Sequence, residues 1–516
     1  MFSHVYFSFP FPSQPVLGRW DHGRRPALSR AARQPRRYLA GNTRWRDAHA
    51  RSLAAEAAAA RLRDPAPLLV HAPATARRLG IPGIEAAHDL LELFAFVHPA
   101  RFAVPTPRGL AAALGINAPE VRDPDVPRLL LACAGKLLAT LTDPDWAERG
   151  GAWDVSQGLA RARWPWSTEV GNRLPTPKAA EPGLFARLPE WEEGAPRPQP
   201  RAVVIPTAAA VERVVDLTGH GAEQRPGQRA MTEAVTAIFA PRNKSGAPTM
   251  LLAEAGTGIG KTLAYLAPAA EWSEASGGTV HISTYTKNLQ RQLARETRRL
   301  YASEAEHRAK VVVRKGRENF LCLLNLEDAL QGGFAGRAAI FARLASRWAA
   351  YTRDGDMVGG DLPGWLPTLF RRAGATALTD RRGACVYAGC PHWRRCFIER
   401  SARSARDAEI VIANPALVMV NAARGREGES PPTRLIFDEG HHLFEAADSI
   451  FAAALTGQEA IELRRWVIGP EGKSKGRRRG LAARLADVAS YDDAGGEAIE
   501  AARIAALALP ADGRLP

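Results

Sequence analysis

At 516 residues and 46% hydrophobic content, the chain is long enough for about two to four domains with ordinary cores, which excludes a disordered protein. No apolar run reaches the roughly 20 residues of a spanning helix, and the aromatic, proline-broken start MFSHVYFSFPFPSQPVLGRW lacks the pattern of a secretory signal, so a cytoplasmic protein without a membrane partner is expected. A net charge of +15 favours a polyanionic partner or simply records an Arg-rich, GC-rich genome, and five cysteines in so long a chain argue against a disulfide framework.

In chain order, residues 1–64 are rich in Arg and Ala, with a helix expected near 46–63. Residues 65–172 mix short apolar runs with helical periodicity, as in HDLLELFAFV (88–97) and LLLACAGKLLATL (129–141), and form a small mixed or helical accessory domain. Cys133, alone in the second run, reads as a small core residue. A proline-rich stretch makes 173–215 a linker. Beyond it, apolar strands alternate with helical patterns at TMLLAEA (249–255), TVHISTYT (279–286), KVVVRKG (310–316), EIVIANP (409–415) and TRLIFDE (433–439). That alternation predicts a helix-covered parallel sheet of the α/β class, with ligands bound beyond the carboxyl ends of the strands.

The run AGTGIGKT, 255–262, opens at one such end and matches the Walker A pattern, with Ala255 in place of the first glycine. Gly256, Gly258 and Gly260, with Thr257 and Ile259 between them, let backbone N–H groups converge on phosphate. Lys261 then reaches the outer phosphates of ATP, and the Thr262 hydroxyl is placed for Mg²⁺. A glycine-rich strand–helix turn without a ligand is the bland alternative. LIFDEGHH (435–442) supplies what a P-loop still needs: Asp438 to hold Mg²⁺ and Glu439 to activate the attacking water.

Asp438-Glu439-Gly440-His441 resembles the DEAH box of superfamily 2 helicases, with Gly440 replacing the usual alanine. STYTKNLQRQL (283–293) resembles their motif Ia, which lies on the single strand, and RPGQ (225–228) resembles the segment that reads adenine, with Gln228 as reader and Arg225 beside it. The three stretches stand in helicase order. The resemblance implies that His441 also belongs to the nucleotide site.

Walker A and the DEGH box lie about 175 residues apart, so a subdomain must be inserted between them, at about 316–402. Cys322, Cys385, Cys390 and Cys396 fall inside it with the spacing C-x62-C-x4-C-x5-C. The paired C-x2-C knuckles of zinc ribbons are absent, and four thiolates at wider spacing suit a [4Fe–4S] cluster; structural zinc or plain core cysteines are the alternatives. The arrangement resembles the DinG/XPD family of iron–sulfur DNA helicases, KGRENFLC included, although ANP (413–415) stands where the family commonly has Asn-His. Arg381, Arg382, His392, Trp393, Arg394 and Arg395 beside the cysteines read equally as a grip on a DNA backbone or as a solvated arginine face.

The resemblance covers about Arg225 to Ile450. It implies a RecA-like helicase domain over 216–450 with a helical iron–sulfur insertion, ATP hydrolysis coupled to 5′→3′ translocation on single-stranded or forked DNA, and a place in DNA repair. Residues 88–115 faintly resemble a carboxylate-bearing segment of DEDD exonucleases, so the accessory domain is either a degenerate version of one or unrelated. Residues 451–516 match the start of the family's arch-like insertion. Neither the second RecA-like domain nor its arginine finger in a Gln-x-x-Gly-Arg segment is found after Asp438. Residues 1–516 alone are therefore expected to bind ATP and DNA without separating strands, completed by a continuation of the chain or by a partner. A non-catalytic ATP- and nucleic-acid-binding module with a cluster is the runner-up, and a P-loop kinase or metabolic ATPase comes third.

Overall fold

The computed structural model describes residues 66–511, apart from 85, 118–124, 182, 196, 220–222, 224, 243–247, 257, 371, 381–384, 425–432, 454, 470, 472–479 and 487–491. The basic segment 1–64 with its expected helix, Thr257, Arg381 and Arg382 lie outside the described residues. The chain divides into two compact units: residues through Pro189 with Phe320–His392 and Arg465–Arg503, and Glu190–Asn319 with Trp393–Arg464 and the segment from Ile504. Among the described residues, no helix is long and apolar enough to cross a membrane.

The first unit is organised round the helix Leu90–Val97, whose eight residues LLELFAFV are all buried. A helix apolar on every side has no face to offer water, so the chain must wrap it completely. Its start is fixed by Asp89, whose carboxylate accepts from the N–H groups of Leu91 at 3.0 Å, His71 at 3.1 Å and Ala72 at 2.6 Å. Asp89 also ends β2 (His88–Asp89), which pairs in parallel with β1 (Leu68–Leu69). Indole N–H groups close the surroundings: Trp146 donates to the Val97 carbonyl and Trp166 to that of Asp89, both at 2.9 Å, while Trp164 donates to Glu92 at 2.8 Å.

The same core takes in residues 320–392. Trp365 donates to the Ala103 carbonyl at 2.8 Å, and Arg337 meets Glu92 at 2.6 Å. Burial pushes the Glu92 carboxyl up to about 7, with the Arg337 charge pulling the other way. Arg347, fully buried on the helix Gly336–Ala349, donates to the carbonyls of Phe96, Glu148 and Gly150 and lies over the Phe96 ring at 5.2 Å. The N-terminal segment and the insertion thus form one body. The carboxylates of Asp89 and Glu92, in the stretch with the faint exonuclease resemblance, are taken up by these bonds. Cys133 is buried in the helix Val126–Thr140, and burial raises its thiol to about 12, as befits a core residue.

The second unit holds a parallel four-stranded sheet in the order β4–β5–β3–β6, with β3 at Val280–Ser283, β4 at Val311–Val313, β5 at Ile410–Ala413 and β6 at Arg434–Phe437. Register pairs Val280 with both Ile410 and Arg434, and Val311 with Ile410. Every residue of β5 is buried, as expected for an inner parallel strand covered on both faces. The helices Thr207–Thr218, Pro226–Ile238 and Lys261–Ser276 pack on one another, and Phe239, Leu266 and Trp272 join Ile282 and Ile410 in one core.

One sequence expectation ends differently. TMLLAEA (249–255) forms no strand: Leu251 packs against the core, but Met250 and Leu252 are exposed. Pro248 lacks a donor before the stretch and the glycine-rich loop begins just after it, so little ladder is available to reward pairing. The proline-rich 173–215 stretch, expected as a linker, is held by hydrogen bonds from Trp191 onward. Trp191 donates to the Trp393 carbonyl at 2.7 Å, Arg197 to Thr279 at 2.8 Å, and the Arg201 N–H to the Ser276 carbonyl at 2.9 Å. Composition shows that such a segment lacks its own ladder, but not which side chains tie it down.

Arg347→Leu should lower the stability of the first unit by about 3 kcal/mol or more, because it leaves buried carbonyls without donors. Hydrogen exchange of the amides in Leu90–Val97 is the measurement; protection equal to wild type would show that the arginine carries no such load.

Candidate functional site

The helix Lys261–Ser276 begins at Gly260, whose φ of 87° is left-handed, as is that of Gly258 at 81°. These angles suit glycine and let the loop turn sharply into the helix. The Arg225 guanidinium donates to the Gly258 carbonyl at 2.6 Å and the Gln228 amide to that of Gly260 at 2.9 Å. Ile259 reaches over Gly227, 4.0 Å from where a Cβ would sit. Lys261 donates from Nζ to the Ala255 carbonyl at 3.3 Å, folding back over the mouth of the loop. Ala255, Gly256, Gly258, Ile259, Gly260, Lys261 and Thr262 thus lie in one turn, with Arg225 and Gln228 beside it.

Asp438 stands one residue beyond β6, its N–H donating to the Ser283 carbonyl at 2.8 Å. Burial raises its carboxyl above the usual carboxylate range, the charge of Glu439 adds to the rise, and Lys261 opposes it. The Tyr265 hydroxyl, buried next to Thr262 and Asp438, is pushed up by burial and by the Asp438 charge. Tyr265 is the residue that motif reading misses. Its spacing is the available signal: four residues after Lys261, it shares that residue's helix face. The structure therefore gathers Lys261, Thr262, Tyr265 and Asp438 at the carboxyl edge of the sheet.

Glu439 has φ 57° and ψ 50°, a left-handed conformation uncommon for a residue with a side chain. Its carboxylate lies 3.6 Å from Nδ1 of His441, both groups being largely open to solvent. His442 stacks flat on Tyr285, with ring centroids 3.7 Å apart and planes 12° from parallel. Tyr285 precedes the helix Lys287–Glu296, which Thr286 caps by accepting from the Leu289 N–H at 3.1 Å. In the departing ANP segment, the Asn414 side chain accepts from the Leu417 N–H at 2.9 Å and so caps the helix Pro415–Arg424.

Among the described residues, no group of three or more His, Cys, Asp or Glu side chains is gathered to hold a metal. Cys322, Cys385 and Cys390 belong to the first unit and Cys396 to the second, and none of the cysteines forms a disulfide. Cys322 and Cys396 each precede a helix, Leu323–Asp328 and Phe397–Asp407. Cys385 accepts from the Tyr387 N–H at 3.3 Å. Burial raises the Cys390 thiol, while the His392 backbone N–H and the charge of Arg484 favour its thiolate. Backbone N–H groups aimed at sulfur are what a ligating thiolate accepts, so the donor chemistry at Cys385 and Cys390 suits a metal or cluster. Their aromatic and basic neighbours have structural partners: His392 meets Glu327 at 3.1 Å, Trp393 packs edge-on against Trp191, and Arg395 meets Glu190 at 2.7 Å.

Residues 229–321 match the family model described as DEAD/DEAH box helicase. The chain is 29% identical over 260 residues to the ATP-dependent DNA helicase YoaA of Haemophilus influenzae, covering 49% of this chain and 39% of that protein. It is 32% identical over 254 residues to YoaA of Escherichia coli, covering 47% and 37%, and 31% identical over 255 residues to the ATP-dependent helicase DinG of Mycobacterium tuberculosis, covering 46% and 37%. Over this stretch the chain is similar to ATP-dependent helicases of the YoaA and DinG kind. It spans less than two fifths of the length of each of these curated relatives. The family match begins just after the Arg225–Gln228 segment and runs through the P-loop and motif Ia to the residue before Cys322, so the matched stretch includes the turn and Tyr285 together.

Gly260→Ala tests the turn. A Cβ there would lie 2.1 Å from the Gln228 amide nitrogen on a backbone with positive φ. We expect at least a tenfold loss in affinity for a fluorescent ATP analogue with the fold retained by circular dichroism, since the amide contact and the loop conformation are lost together.

Proposed function

We propose that this chain is the ATP-binding part of a DNA helicase that couples ATP hydrolysis to movement along single-stranded or forked DNA. The observation that carries the reading is the convergence of Lys261, Thr262 and Asp438 at the carboxyl edge of a parallel sheet, with Tyr285 emerging from the adjacent strand. Lys261 would leave the Ala255 carbonyl to meet the outer phosphates, while Arg225 and Gln228 fix the turn and bring a planar amide to the adenine side. Thr262 and Asp438 would hold Mg²⁺, which neutralises phosphate charge when bound. Glu439, solvent-open and one residue from Asp438, would take the proton of the attacking water. His441, against the Glu439 carboxylate, would steady its orientation.

Cys322, Cys385, Cys390 and Cys396 would hold a [4Fe–4S] cluster as a structural group within the DNA-binding part of the protein. The N–H groups on the sulfurs of Cys385 and Cys390 support a ligating role. The relatives' names, ATP-dependent DNA helicase among them, support both the substrate and the polyanionic partner anticipated from the charge.

Lys261→Ala should abolish ATP binding, whereas Glu439→Gln should bind ATP within about twofold of wild type and lose hydrolysis, because the lysine acts on the ground state and the glutamate on the water. Equilibrium titration with a fluorescent nucleotide, followed by phosphate release with single-stranded DNA, separates the two; equal weakening of binding would reject the assignment. ATP binding without strand-stimulated hydrolysis in the wild type would favour a non-catalytic binding module.

For the cluster, protein purified without oxygen should be brown and contain iron and sulfide in about equal amounts. Cys385→Ser should lose both. Zinc with no sulfide would replace the cluster with a structural zinc site.

A further inference from the structure

We propose that Trp191, in the proline-rich stretch, is a positioning residue for the ligand Cys396, because it fixes the turn that presents this cysteine. This rests on the ligand role proposed above for Cys396. The turn is a single 3₁₀ turn, Trp393–Arg395, and Cys396 then caps the helix Phe397–Asp407. Three residues of 3₁₀ geometry hold poorly by themselves. Here the Cys396 N–H closes the turn by donating to the Trp393 carbonyl at 3.2 Å, and the same carbonyl accepts the Trp191 indole N–H at 2.7 Å. The next carbonyl, that of Arg394, accepts the Trp191 backbone N–H at 2.8 Å. Trp191 therefore takes two successive carbonyls of the turn. The bond that orients the Cys396 backbone ends on an oxygen that Trp191 also holds.

The indole is itself held from both sides of the cysteine. Its ring meets Trp393 edge-on, with centroids 5.6 Å apart and planes at 83°, and the Arg403 guanidinium lies over it at 3.6 Å. Trp393 precedes Cys396, and Arg403 stands on the helix that follows it. Glu190 and Glu193 flank the indole and meet Arg395 at 2.7 Å and Arg403 at 3.2 Å. Those ion pairs are partly open to water and add little each, so the directional hold comes from the two hydrogen bonds and the cation over the ring. A metal ligand depends on outer partners of this kind to stay where the metal needs it. The stretch is fastened again at Arg197, which donates to the Thr279 hydroxyl at 2.8 Å and to the carbonyl of Ala408, the residue that ends the same helix. Arg197 thus ties the same stretch to the same helix without touching the turn at Cys396.

That difference supplies the test. Wild type, Trp191→Ala and Arg197→Ala are purified without oxygen, and release of iron or zinc to a chromogenic chelator is followed with time. Trp191→Ala should release its metal about tenfold faster than wild type or more, the usual cost of removing a residue that orients a ligand. Arg197→Ala should stay within about twofold of wild type, since its bonds lie at the other end of the helix. Both variants should bind a fluorescent ATP analogue within about twofold of wild type, which shows that the sheet has formed. Trp191→Phe keeps a ring beneath Arg403 but lacks the indole N–H. It should therefore regain the melting temperature of wild type and still release metal quickly, and it carries the same test where the alanine variant is insoluble. Recovery of both properties in Trp191→Phe would make Trp191 a packing residue only and overturn the proposal. Wild-type release from Trp191→Ala, or equal acceleration in the two alanine variants, would likewise overturn this proposal alone. A wild type that holds neither iron nor zinc would overturn the ligand role of Cys396 as well.

Discussion

The ladder between β3 and β6 runs one residue past its paired strands, ending in the bond from the Asp438 N–H to the Ser283 carbonyl. Most of the second unit's chemistry depends on that extension. It sets Asp438 level with the helix that starts at Lys261, and it leaves Glu439 as the first residue free of the sheet. Ser283, on the accepting side, leads within two residues to Tyr285. One hydrogen bond thus ties the segment bearing Asp438 to the segment bearing Tyr285. A parallel sheet directs all its strand ends the same way, which is why elements from distant parts of the sequence meet at one edge.

The P-loop turn depends in addition on residues outside it. Glycines allow left-handed angles but do not choose among them, since a glycine has many conformations within reach. Arg225 and Gln228 make the choice by donating to the carbonyls of Gly258 and Gly260, the two positions with positive φ. The segment that resembles an adenine reader thus braces the loop. Such a brace lowers the entropy lost when phosphate arrives, because the loop is already near one shape.

Legibility followed the range of the interaction. The P-loop and DEGH runs could be read because each is short, contiguous and made of residue types whose chemistry is specific. Four strands could be read because an apolar run of four or so residues inside an α/β alternation has few other uses. The fifth, at 249–255, carries the same apolar run, and its failure to pair shows that composition reports what a segment can bury, not whether an edge is ready for it. Tyr265 was only half legible: its helix spacing from Lys261 is local, but its partner Asp438 is distant in sequence. Arg347 was hidden more deeply still. An arginine in an alanine-rich helical pattern reads as solvated, yet this one is fully buried among the carbonyls of Phe96, Glu148 and Gly150, some two hundred residues or more away in the chain.

That arginine also gives the insertion a core of its own within the first unit. A segment leaving between β4 and β5 needs its own core, or it would compete with the strands for theirs. The helix Gly336–Ala349 finds one by joining the helix Leu90–Val97, and a guanidinium serves better than a hydrophobe at the junction because several backbone carbonyls point at one place there. The exits are fixed on the sheet side: Asn319 accepts from Lys287 at 2.7 Å, and Trp393 offers its carbonyl to Trp191. β4 and β5 pair as though the intervening residues were absent, at the registers Val311 with Ile410 and Val313 with Ile412.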